Sequence, residues 1–226
     1  MEGARAARAE PGCRTAIGWI AVVALLASPF IALVPVMAKQ FHHHGGLSTA
    51  LITAILVTAQ GVGAVAGALS LPGLAIRFGR LTVLRVALFS VPVLLCGYAA
   101  APTLTSAIPA FMAVGFGYIC VLSGLNTVVQ LRAPVETRGR ILSIYMMALG
   151  LVYPVGAVIQ GWLADTLGIR AVTFWGALVL LGFLALVAFV RPSVFTNLAD
   201  PPSPDGPTDV TEGLGTTDSA PAEGIG

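Results

Sequence analysis

Charge is what this sequence of 226 residues has least of: 10% of it is Asp, Glu, Lys or Arg, against 57% apolar. A soluble domain carries roughly 25% charge. Five of the charges crowd into residues 1–14 and seven into 191–226, leaving ten between Thr15 and Val190. No soluble fold of this size covers so much apolar surface, because most residues of a small domain face water. A soluble enzyme and a nucleic-acid binder are thereby excluded. Cysteine is scarce as well. Cys13, Cys96 and Cys120 are odd in number and lack metal-ligand spacing. A disulfide scaffold is excluded, and the three read as small buried hydrophobes.

What the sequence does hold is long apolar runs. A membrane helix needs roughly 20 mostly apolar residues, and six runs qualify: Thr15–Ala38, Leu47–Ile76, Leu81–Ala101, Ser106–Leu131, Ile141–Ala164 and Ala171–Val190. They are too continuous for barrel strands, which alternate over short segments. Helices also satisfy their own backbone within lipid. The expected fold is therefore an all-α membrane protein of six transmembrane helices. It divides into an N-terminal segment 1–14, a transmembrane domain 15–190 and a tail 191–226. The connectors Lys39–Gly46, Arg77–Arg80, Pro102–Thr105, Arg132–Arg140 and Asp165–Arg170 are short, which makes neighbouring helices antiparallel.

Lys and Arg are retained on the cytoplasmic side. Ten of the twelve fall on one side (Arg5, Arg8, Arg14, Arg77, Arg80, Arg85, Arg132, Arg138, Arg140, Arg191), and only Lys39 and Arg170 on the other. Both termini are expected in the cytoplasm of a multi-pass cell-membrane protein. The first run is far longer than the roughly 7–15 residues of a signal-peptide core, so it reads as a span. The tail mixes six prolines with six acids and small polar residues, a composition that reads as disordered.

Acids at membrane depth are absent too. No Asp, Glu or Lys occupies a span centre, so no proton-relay carboxylate is visible. The uncharged polar residues Gln60, Tyr118, Asn126 and Gln160 are the substrate-pathway candidates, with helix–helix packing as their other reading. Tyr145 and Tyr153 share a helix with Gln160. Small residues at four-residue spacing (Ala59, Gly63 and Gly67; Ala113 and Gly117; Ala157 and Gly161) suit close helix packing. Pro29, Pro35, Pro92, Pro109 and Pro154 interrupt spans, and Tyr153-Pro154-Val155-Gly156 is the hinge candidate. His42 to His44 read as a solvated loop, and no metal site or cofactor is expected. Ser28, Ser90 and Ser123 have no His or Asp partner inside a span, which argues against an intramembrane enzyme.

Two motifs carry a family resemblance. Gly161-Trp162-Leu163-Ala164-Asp165-Thr166-Leu167-Gly168-Ile169-Arg170 resembles the Gly-x-x-x-Asp-x-x-Gly-x-Arg signature of major facilitator superfamily transporters. Arg77-Phe78-Gly79-Arg80 looks like the end of the same signature. There Ile76 and Pro72 stand at the acid and leading-glycine positions, so the acid of the cytoplasmic charge clamp is missing. Gln130 to Tyr145, with Arg138-Gly139-Arg140 inside it, is similar to the loop before the penultimate helix pair in the enterobactin-exporter-like branch. That branch exports siderophores and drugs, typically by proton antiport. The resemblance runs from about Ile17 to Val190 and covers the C-terminal six helices of a twelve-helix fold.

In that fold two six-helix repeats hold substrate between them at the midplane. The resemblance implies small-molecule efflux by alternating access. It also implies a second wall, from a preceding half or from a second copy of the chain, which would bring any coupling carboxylate. By the same analogy, spans one, two, four and five face the cavity. The partners expected are the lipid bilayer, a small-molecule substrate and that second six-helix body, with no nucleic acid. The competing reading is a non-transporting membrane interaction module that packs against another membrane protein through its small-residue faces.

Overall fold

The computed structural model describes residues 10–41, 46–191, 193–196 and 198. Six helical segments there are long and apolar enough to cross a membrane. The first is broken into α1 (Pro11–Leu26), a 3-10 turn (Ser28–Phe30) and α2 (Val34–Phe41). The others are α3 (Thr49–Phe78), α4 (Arg80–Ala100), α5 (Leu104–Arg132), α6 (Arg138–Leu167) and α7 (Ile169–Val190), followed by the short α8 (Ser193–Thr196). This is an all-α, multi-pass membrane protein. His42 to His44, and the acidic part of the tail, lie outside the described residues.

Local chemistry sets the helix starts. Pro11 occupies the first turn of α1, where a missing N–H costs nothing. Ser48 caps α3 by accepting from the Leu51 N–H at 3.2 Å. Thr103 and Ser106 form a reciprocal capping box at the head of α5, with both backbone-to-hydroxyl bonds at 3.3 Å.

Two connectors are tighter than the sequence suggests. Only Gly79 separates α3 from α4, and only Gly168 separates α6 from α7. Their φ values are +82° and +85°, a left-handed conformation that glycine adopts without strain. Each glycine caps one helix and opens the next. Arg77, Arg80, Asp165 and Arg170 consequently sit in terminal helical turns instead of loops. Three membrane crossings lie between the two joints, so they stand at opposite ends of the bundle.

The tightest packing is between α3 and α5. A β-carbon on Gly63 would strike the Met112 carbonyl, one on Gly115 the Gln60 carbonyl, and one on Gly67 would lie 2.8 Å from the Phe116 carbonyl. The expected close-packing face of α3 is thus engaged inside the chain. Gly117 turns to α4, 3.2 Å from Val91 by the same measure. Gly161 faces open space, and it is Gly156 whose backbone meets α1, with Leu25 O at 2.5 Å and Pro29 Cγ at 3.0 Å from a would-be β-carbon. The packed face of this helix is therefore the stripe of Gly156 and Gln160, one residue earlier in register than the expected Ala157 and Gly161.

Described residues on both sides of 15–190 pack against the bundle. Helix α1 starts before Thr15 and buries Cys13 completely. After Val190 the chain returns to the bundle: Phe195 is 4% and Leu198 2% exposed. Phe195 packs on Trp19 (centroids 5.4 Å apart) and Phe89 (6.0 Å), with the Arg85 guanidinium 5.9 Å from its ring. Val194, Phe195 and Leu198 are apolar residues that pack on the bundle, and the averaged composition of residues 191–226 hides them.

Candidate functional site

A polar seam runs where α1, α5 and α6 meet. Its origin is the break in the first span. Pro29 has no N–H, so the Leu25 carbonyl loses its ordinary helical donor. The Phe30 N–H turns to Ala27 O at 3.2 Å, which leaves Leu26 O open as well. Bare carbonyls in hydrocarbon are costly. Gln160 of α6 satisfies both: its Nε2 donates to Leu25 O at 3.1 Å and Leu26 O at 3.0 Å.

Tyr118 of α5 holds the same break from another side. Ser28 Oγ donates to Val23 O at 3.1 Å. With that proton used, the 2.7 Å contact between Ser28 Oγ and the Tyr118 hydroxyl has Tyr118 as its donor. Phe30 stands edge-on to Tyr118 and to Phe111, with centroids at 5.3 Å and 5.5 Å. One turn along α5, the Tyr145 hydroxyl of α6 donates to Leu122 O at 3.0 Å. Asn126 follows, half-buried, and its Oδ1 is shielded and without a partner among the described residues. Arg132 ends the seam by pairing with Glu10, Nη1 to Oε1, at 3.0 Å.

Tyr118, Asn126 and Gln160 therefore share one seam. Gln60 stands apart: it is half-buried on α3, where its own carbonyl touches Gly115. Helix α6 runs unbroken through the exposed Pro154, and the interrupted span is the one that carries Pro29. Sequence reasoning considered only His or Asp beside Ser28 and did not pair Glu10 with Arg132. A proline within an apolar run was the available signal, since it implies an orphaned carbonyl and a polar side chain elsewhere to meet it.

The loop motifs divide between the two ends. Arg77, Arg80, Arg138, Gly139 and Arg140 are exposed at the end that also holds Arg132. The Arg77 guanidinium lies 5.3 Å from the Phe78 ring. Gly139 has open space around it. At the opposite end Asp165 is exposed, and Gly168 makes the joint. Arg170 covers Phe41 at 5.2 Å, which ties α7 to α2. The signature-like segment works here as a helix joint and an aromatic clasp.

The seam offers hydroxyls, amides and aromatic edges, and no carboxylate at membrane depth. A family described as transmembrane secretion effector, of the major facilitator type, matches residues 1–210. No curated protein matches the chain.

Proposed function

We propose that this chain, which belongs to the transmembrane secretion effector family of the major facilitator superfamily, exports a small molecule as one six-helix wall of an alternating-access transporter. The observation that carries this reading is the extent of the family match, which takes in all six membrane-crossing segments.

Substrate in this fold is held between two six-helix repeats that rock about it. Helices α3 and α6 keep the broadest open faces. Helix α6 buries only the stripe of Ile141, Tyr145, Gly156 and Gln160. A second six-helix body on this side, a second copy or another half, encloses the pathway. Gln60, Tyr118 and Asn126 line it. Gln160 keeps the first span broken at the right place. The second body brings the coupling carboxylate, because none stands at a span centre here. The arginine-bearing end faces the cytoplasm by charge retention, which puts both termini there in a cell membrane.

The competing reading is a packing module that binds another membrane protein through its small-residue faces, that of α3 among them. Gly63 and Gly67 meet α5 within the chain, which favours transport. The experiment is dye and drug efflux from vesicles holding the full chain, alone and co-expressed with candidate six-helix partners. Asn126→Leu and Gln60→Leu are expected to lower efflux about tenfold at equal membrane abundance. No movement of any compound in any pairing would overturn the proposal.

A further inference from the structure

The chain does not leave the bundle where α7 ends. Beyond Val190 it folds back across the arginine-bearing end, with Phe195 seated on Trp19 of α1 and Phe89 of α4. Leu198, 2% exposed, is the last residue the structure describes. It lies in the wall of a crevice of about 220 Å³ between α3, α4 and α5, together with Leu71, Pro72, Arg80, Leu84 and Thr127. The crevice thus has a cation in its lining and one apolar residue of the returning chain already in place.

The residues that follow match this end by charge. Positions 199–226 hold six acids (Asp200, Asp205, Asp209, Glu212, Asp218 and Glu223) and no Lys or Arg. The end they start from exposes Arg77, Arg80, Arg138 and Arg140, and among the described residues there only Glu136 is an exposed acid. Chain length fixes the first contact. Two residues span at most about 7 Å, so Asp200 starts within that reach of Leu198, beside the crevice that Arg80 lines. Helix α4 also begins at Arg80, and Gly79 before it supplies no side-chain cap. The positive end of the helix dipole therefore adds to the guanidinium. A lone exposed ion pair contributes little. Tethering changes the balance, because an acid held this near meets its partner at an effective concentration on the order of millimolar, and several acids face several arginines.

We propose that the acidic tail, residues 199–226, docks on the arginine-bearing end of its own chain, with Asp200 at the mouth of the crevice beside Arg80 and the later acids on Arg77, Arg138 and Arg140. The competing occupant of such a surface is an anionic lipid headgroup. The tail is favoured because Leu198 already stands in the crevice wall and delivers the acids there. The inference does not rest on the transport reading, since it is read from distances within one chain.

Cys13, Cys96 and Cys120 are replaced by Ala. Spin labels are then placed at Gly139→Cys, which has open space around it, and at Gly206→Cys in the tail. The full chain is held in nanodiscs of phosphatidylcholine, and in others that mix in phosphatidylglycerol. Pulsed electron paramagnetic resonance is expected to give one defined distance between the labels in both lipids at low salt. That peak is expected to dissolve into a broad distribution at about 1 M salt, where screening acts within about 3 Å. Asp200→Asn combined with Asp205→Asn is expected to lose it at low salt, as is Arg80→Gln. Lys39→Gln, exposed at the opposite end, is expected to keep it. If Arg80→Gln does not fold, the tail substitutions and the salt series decide alone. A broad distribution for the unaltered tail, or a peak indifferent to salt and to the tail substitutions, would overturn the proposal. A peak that phosphatidylglycerol removes would overturn it as well, and would give the arginines to lipid headgroups.

Discussion

Gln160 on α6 donates to the carbonyl of Leu25 on α1 at 3.1 Å, at the point where the helix's own donor would have been the nitrogen of Pro29. A side chain from another helix thus replaces a backbone hydrogen that proline lacks. The break in the first span persists in an apolar setting because both freed carbonyls are satisfied from outside the segment.

Gln160→Leu should therefore cost about 1–3 kcal/mol of stability, seen as a lowered unfolding midpoint in detergent. Gly161→Leu, one residue on and facing open space, should leave the midpoint where it was. Equal effects of the two would remove the capping role.

The bond between Tyr118 and Ser28 calls for a double-mutant cycle. Tyr118→Phe and Ser28→Ala should be coupled by about 0.6–2 kcal/mol, the range for hydrogen bonds between membrane helices. Strict additivity of the two substitutions would contradict the geometry.

Gly63→Ala should separate α3 from α5, because its methyl meets the Met112 backbone, which cannot swing aside as a side chain can. Gly115→Ala should do the same against Gln60. Gly61→Ala, in open space on the same helix, is the control. Folded yield by size-exclusion profile should fall sharply for the first two and stay level for the third.

Phe195→Ala removes the contacts with Trp19, Phe89 and Arg85. It should cost about 1–3 kcal/mol and shift Trp19 emission to the red, read in a variant with Phe at positions 162 and 175. Unchanged emission would show that Phe195 does not sit on Trp19.

Much of the site was visible in the sequence only as a set of unusual residues. Tyr118, Asn126 and Gln160 stand out because polar side chains are few in the spans, and Pro29 stands out because it removes a donor. Nothing along the chain says that Gln160 answers Pro29. They are more than a hundred residues apart, and Gly156 and Gln160 sit one helical turn apart on the stripe that happens to meet the break. Gln60 carries the same local signal as Gln160, yet it lies on α3, away from the seam. The connectors were legible as charged and short. Their contraction to Gly79 and Gly168 depends on a positive φ, which glycine permits and the sequence does not require.

By itself the sequence determined the number of membrane crossings, the helical class and the gathering of arginines at one end. Each of these follows from hydropathy and charge, which add up locally along the chain whatever the neighbours are. Tertiary structure alone decided which helices touch, which glycines are indispensable, where the first span breaks, and which carbonyl each polar side chain satisfies. Those outcomes rest on distances of about 3 Å between distant residues, and a pattern of apolar and polar positions carries no information on that scale.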